Sequence, residues 1–226
     1  MSVLGHQRVR VLLALAVTAA AIHFIPDRIA VLVPLIAAWG VLFHPLTRAE
    51  FFLFALASVV FLFQNYAALR AGIFEFRFKD ILLMPYYEPL LWGLYFLVLK
   101  RCVIGTATDA VRIERRTIAG VVVTSLMFSL STDSATLFLA TLASTTFLFV
   151  LFHARRDWAY ALAALALGFV VELFGVSTGL WRYPDPDFLG MPYWFATMWV
   201  SVGLLVRRFA IPAAEWLARR SRRQPT

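Results

Sequence analysis

Two glutamates stand where an acid is costly. Glu88 falls within Pro85-Tyr-Tyr-Glu-Pro89 and Glu172 within Phe169-Val-Val-Glu-Leu-Phe174, one opening an apolar run and the other lying late in one. A charge at mid-bilayer costs about 2.5–3.5 kcal/mol on insertion scales, so acids in such runs face a protein interior or a water-filled cavity. A neutral carboxyl held there can give its proton to a bound substrate. Glu88 and Glu172 are therefore the catalytic candidates. The plain alternative for Glu88 is an ion pair with Arg70 or Lys79.

Nothing else in the chain offers chemistry of comparable strength. Cys102 is the single cysteine, which excludes an intrachain disulfide and any cysteine-based metal or redox pair. His23, His44 and His153 lack metal-ligand spacing, and the last two read as interfacial. No metal and no cofactor is expected.

The elements that hold the two acids belong to a membrane. The chain has 226 residues, of which 62% are hydrophobic and 15% charged, with a mean hydropathy of +0.79. That leaves too little polar surface to cover a water-soluble globule. Apolar runs of 15–19 residues cover roughly 22–29 Å as helix, close to a ~30 Å hydrocarbon core. The expected architecture is an all-α polytopic bundle of about eight spans, from 11–25, 29–43, 51–69, 84–99, 117–131, 135–152, 158–176 and 188–206. Cations crowd alternate loops, at Arg8 and Arg10, Arg48, Lys100 and Arg101, Arg155 and Arg156, and the tail from Arg207 to Arg223. By the positive-inside rule both termini then lie in the cytoplasm of a bacterial inner membrane. The net charge of +8 is spent in these short clusters. It points to anionic phospholipids at the basic tail and not to nucleic acid.

Residues 72–86 and 179–193 are nearly the same sentence written twice. Aligning 65–101 with 172–208 without a gap pairs Gly72 with Gly179, Asp80 with Asp187, Met84-Pro-Tyr86 with Met191-Pro-Tyr193, Trp92 with Trp199 and Arg101 with Arg208. The expectation is a tandem duplication, residues 1–106 and 107–226, each with four helices. An even number per copy makes the repeats parallel. The early Arg8 and Arg10 with Ala19-Ala-Ala21 resemble a secretory signal, but the first run has its counterpart at 117–131 and is kept as a span. In each copy a glycine closes a helix. An aromatic pair two apart follows (Phe74 and Phe76; Trp181 and Tyr183), and Pro85 or Pro192 is expected to open the next helix. Phe74, Trp181, Tyr86, Tyr193, Trp92 and Trp199 are the aromatic candidates for contact with a substrate.

Asn65, Gly72, Phe74, Phe76, Pro85 and Glu88, with Glu172, Gly179, Trp181, Tyr183 and Pro192 in the second copy, resemble the membrane repeats of heterodimeric-type lycopene cyclases. Glu172-x-x-Gly175-x-x-Thr178-Gly179 also looks like carotenoid hydratase-type proteins. The likeness covers about 40 residues in each half. It implies acid-initiated, cyclase- or isomerase-like chemistry on a polyene or other isoprenoid lipid. Glu88 would be the donor, Glu172 its helper, and Trp92, Trp199, Tyr86 and Tyr193 the rings that stabilise a carbocation. Two departures weigh against that chemistry: Glu88 stands alone where the family has adjacent acids, and Phe195 occupies its place in the second copy. The other class is a non-catalytic membrane protein that binds lipid, carries a solute or supports an assembly.

Overall fold

The computed structural model describes residues 3–107, 111–127 and 131–221. It is an all-helical membrane bundle. Helices α1 (Val3–Phe24), α2 (Leu32–Leu42), α3 (Arg48–Arg70) and α4 (Glu88–Val103) fill the first half, and α5 (Arg115–Met127), α6 (Ser134–Leu151), α7 (Arg155–Ser177) and α8 (Trp194–Leu205) the second. A π-helical turn, Val206–Ala210, joins α8 to α9 (Ile211–Ser221) in one continuous helix. Among the described residues five helices are long and apolar enough to cross a membrane: α1, α3, α6, α7 and the continuous Trp194–Ser221. The expected count of about eight spans is therefore met in full length by five, with α2, α4 and α5 running between the same two ends as shorter helices. Large apolar side chains such as Leu12, Val33, Phe63, Val150 and Leu162 point outward, as a lipid-facing surface requires.

Local signals set the helix ends. Thr47 and Glu50 form a capping box at the start of α3. The Asp157 carboxylate accepts the Ala154 N–H at 2.8 Å at the start of α7, and Asp133 accepts the Thr136 N–H at 2.8 Å at the start of α6. Asp27 likewise accepts from the amides of Ile29 and Ala30 ahead of α2, which holds its carboxyl below the usual range. Gly72 and Gly179 end α3 and α7 with φ of +76° and +67°. The hydrogen bonds from the Ile73 N–H to the Ala68 carbonyl and from the Leu180 N–H to the Gly175 carbonyl are those of a Schellman cap.

One end of the bundle is held by ion pairs. The Glu50 carboxylate is fully buried and takes Arg101 at 2.7 Å and Lys100 at 3.1 Å. Asp157 takes Arg208 at 2.7 Å, with Arg207 alongside. Arg101 lies over the Phe43 ring and Arg208 over the Phe152 ring. This is the charged end. At the opposite end, strands β1 (Glu75–Phe76) and β2 (Trp181–Arg182) pair antiparallel, Glu75 opposite Arg182 and Phe76 opposite Trp181. The Arg182 guanidinium donates to Glu75 across 107 positions of sequence. This is the clasp end.

After each strand the chain makes a two-residue hairpin turn, Ile81 bridging to Met84 and Phe188 to Met191. The central residues are left-handed in both: Leu82 and Leu83 at +48° and +66°, Leu189 and Gly190 at +51° and +80°. These turns correct one expectation. Pro85 and Pro192 do not open helices; they follow the turns, and α4 and α8 begin at Glu88 and Trp194. The proline in the first turn of α4 is Pro89. Between α6 and α8, where lipid offers no hydrophobic drive, hydroxyls connect the helices: Thr141 with Thr197 at 2.6 Å and Thr145 with Ser201 at 2.8 Å.

Candidate functional site

Beneath the clasp, between α3, α4, α5, α7 and α8, lies a cavity of about 790 Å³. That is within the range of small-molecule sites. Its walls are mainly aromatic and aliphatic, and among the described residues its only carboxyls are Glu88 and Glu172, with no Lys, Arg or His side chain in the lining. The structure thus brings the two candidate acids to one chamber, from the first turn of α4 and from late in α7.

Their surroundings differ. Glu172 accepts three hydrogen bonds: the Trp181 indole N–H at 3.0 Å and the Tyr183 hydroxyl at 2.7 Å on one oxygen, and the Trp199 indole N–H at 3.2 Å on the other. This carboxyl ties the β2 segment to α7 and α8. Glu88 accepts one, from the Asn65 amide at 3.2 Å. The Trp92 indole N–H has no partner of ordinary hydrogen-bond geometry, though it is close enough to interact with Glu88. Neither Arg70 nor Lys79 forms the expected ion pair with Glu88; Lys79 pairs instead with Glu75.

Glycines make room for the rings that line the chamber. A Cβ at Gly175 would lie 2.0 Å from the Trp181 ring, and one at Gly168 2.2 Å from Trp199. Glycine at 175, one turn beyond Glu172, is what lets the Trp181 indole fold back onto that carboxyl. Phe61, Trp92 and Trp199 form a stack, with centroids 3.7 Å and 5.3 Å apart and planes within 12° and 16°. Phe74 packs on Tyr183 and Phe76 on Trp181 at the roof.

Of the eight residues singled out in the sequence, Glu88, Glu172, Trp92, Trp199, Phe74 and Trp181 line the cavity. Tyr86 and Tyr193 do not: both are exposed near the hairpin turns, and Tyr193 gives its backbone N–H to Asp187. Their phenols are too far out to serve a buried substrate. Sequence reasoning missed Tyr95, a buried ring against Trp92 and Trp199. Glu88, Trp92 and Tyr95 follow the i, i+4, i+7 spacing of one helix face, which is the signal that finds it. Gln64 and Phe61 were missed as well. They sit in an α3 run whose polar and aromatic members carry no pattern of their own.

No family model matches the sequence, and no curated protein matches it. Two solved structures are similar. One is a mycobacterial Insig homolog, MvINS, from Mycobacterium vanbaalenii, with a TM-score of 0.63 and 17% identity over 79% of this chain and 96% of that one. The chain has the fold of that Insig homolog. The other is a cross-linked trimer of the same protein, with a TM-score of 0.62 at 17% identity. At such identity the likeness carries the fold alone, and the architecture agrees with the bundle expected from the sequence.

Proposed function

We propose that the chain is a membrane protein that holds a neutral, elongated lipid, of isoprenoid, polyene or sterol-like type, in the cavity beneath the clasp. The observation that carries this reading is the lining: an aromatic and aliphatic chamber with two carboxyls and, among the described residues, no cationic side chain. An anionic headgroup or a prenyl diphosphate would find no counter-ion among the described lining residues, at a cost of several kcal/mol in a buried site. A neutral lipid loses nothing there, and its polar end meets Glu88 and Asn65. The test is mass spectrometry of the lipid extract that co-purifies with the protein. A neutral polyene or sterol-like molecule is expected; a phospholipid or prenyl diphosphate at one per chain would overturn the reading.

A second reading is catalytic. Glu88, with one hydrogen bond of ordinary geometry against three for Glu172, is the freer carboxyl, and the rings of Trp92, Tyr95 and Trp199 line the same chamber. That arrangement fits proton donation to a polyene, as the lycopene-cyclase resemblance implies. Turnover of an added polyene that Glu88→Gln abolishes, while the variant still purifies folded, is its test.

The same proposal includes the chain's origin and setting. Glu50 with Arg101 and Asp157 with Arg208, the caps of Asp27 and Asp133, and the two hairpin turns recur in parallel in the two halves. They support a duplication of residues 1–106 as 107–226. A charged end in the cytoplasm fits the cations gathered there, and exposed Trp216 beside Arg220 fits a headgroup-level C-terminal helix. Arg222 and Arg223 of the basic tail lie outside the described residues.

A further inference from the structure

The cavity has a closed end and an open side. At the clasp end the paired strands roof it: Phe76 is buried against Trp181, and the Glu75–Arg182 ion pair lies above them. Its side is different. Helix α3 packs chiefly on α4 and α9, whereas α5 packs chiefly on α6. The cavity nonetheless takes part of its wall from both, from Val60, Gln64 and Ala68 on α3 and from Val121, Thr124 and Ser125 on α5. Val60, Gln64 and Ser125 are exposed residues, so the wall at this place is also the outer surface of the bundle. Around them on α3, Val59 and Phe63 are exposed and apolar. A carboxamide at such a position is out of place on a lipid-facing helix, where an unsatisfied polar group costs several kcal/mol.

We infer that the slit between α3 and α5 is a lateral portal through which a lipid passes between the bilayer and the cavity, with Gln64 as the polar group its headward end meets first. The inference rests on the lipid-binding reading above for the identity of the traveller, but the portal itself is a property of the walls. It explains why a polar side chain stands among exposed Val59, Val60 and Phe63. It also explains how a chamber roofed by the clasp is filled without unpairing the strands. Glu88 and Asn65 lie at the inner end of the route, so a polar end-group leaves Gln64 for partners deeper in.

Two measurements on the full chain in lipid nanodiscs test it, both in a Cys102→Ser background. First, a nitroxide at Ser125→Cys should be accessible to dissolved oxygen and inaccessible to a water-soluble nickel chelate, like one at the lipid-facing Val170→Cys. High accessibility to the nickel chelate would mean that the mouth opens to water, and would overturn the portal. Second, Gln64→Cys with Ser125→Cys should be bridged by a bis-methanethiosulfonate cross-linker, which forms a reducible disulfide with each cysteine and releases methanesulfinate. Bridging should slow exchange of all-trans-retinol about tenfold or more with little change in Kd, and reduction should restore the rate. Unchanged exchange after bridging, or no bridging with either a short or a long reagent, overturns the proposal. Failure of the unbridged protein to bind retinol would count against the neutral-lipid reading, and accessibility and bridging alone would then decide the portal.

Discussion

Trp92 and Trp199, one from each half of the chain, lie nearly parallel with ring centroids 5.3 Å apart. Trp199 is almost fully buried and also donates to Glu172. Its two roles are separable. Trp199→Ala removes ring and donor together and should cost about 3–5 kcal/mol, the range for deleting a buried aromatic. Trp199→Phe keeps a ring against Trp92 and loses chiefly the hydrogen bond, costing about 1–2 kcal/mol. Unfolding in detergent measured for both variants checks this. Equal losses would mean that the Glu172 contact, and not the stack, dominates.

The charged end should be the more sensitive to loss of one atom's charge. Glu50 neutralises two buried cations, Lys100 and Arg101, all three nearly without exposure. Glu50→Gln leaves those cations uncompensated and should cost about 3–5 kcal/mol. Asp157→Asn should cost less, because Arg207 and Arg208 keep some solvent access. Resistance to SDS-induced unfolding ranks the two, and the order Glu50 above Asp157 is the expected result.

Much of this was legible in the sequence, and for a stated reason. Gly72, Gly179, Glu88 and Glu172 stood out because each is a residue type that lipid or helix geometry penalises unless something requires it. The pairing of Glu75 with Arg182 follows from the doubled segment but needs the fold to bring the copies together. Helices α4 and α8 begin at Glu88 and Trp194, a few residues after Met84-Pro-Tyr and Met191-Pro-Tyr, which look like helix openings. The left-handed leucines just before them have no sequence signature, since leucine seldom adopts that conformation. Tyr86 and Tyr193, expected at the site as cation-stabilising rings, are carried outward by the hairpin turns. Tyr95 and Gln64 were passed over among apolar neighbours, where only packing distinguishes a wall from a lipid face.

Those left-handed leucines carry strain that can be relieved. Leu83 has φ of +66° at the turn position that Gly190 occupies in the second half. A left-handed non-glycine residue costs roughly 1–2 kcal/mol, and glycine returns part of that as unfolded-state entropy. Leu83→Gly should therefore raise stability by about 0.5–1 kcal/mol, read as a higher unfolding midpoint. Gly190→Leu should do the reverse, since a Cβ there already meets Val176 at 2.5 Å.

The clasp should loosen in acid. The hydrogen bond from Arg182, helped by Lys79, holds the Glu75 carboxyl below its ordinary range. A depressed carboxylate stabilises the folded form above its unfolded pKa and loses that contribution as pH falls through the folded value. Between about pH 6 and about pH 3, exchange of the Arg77 amide, which bonds the Leu180 carbonyl at 2.8 Å, should therefore rise relative to its intrinsic rate. Glu75→Gln should start with a weaker clasp and show no such acid step. An acid step of equal size in that variant would move the cause elsewhere.

Glu172 and Glu88 should part company when each is changed to its amide. Three donors converge on Glu172, and glutamine offers one acceptor oxygen and an NH2 group that is itself a donor. At least one of Trp181, Tyr183 and Trp199 is then left facing an N–H, which costs about 1–3 kcal/mol in a buried site and unhooks β2 from α7. Glu88 accepts its one hydrogen bond of ordinary geometry from Asn65, whose amide can reverse to suit a glutamine, and a glutamine oxygen can still face the nearby Trp92 N–H, so Glu88→Gln should change stability by less than about 1 kcal/mol. Thermal unfolding of the two variants, with retention of co-purified lipid as the second readout, separates their parts. Stability lost chiefly at 172 and ligand handling lost chiefly at 88 is the expected pattern. If Glu88→Gln proves the more destabilising, that carboxyl holds the fold together, and the freedom assigned to it as the reactive group of the cavity is wrong.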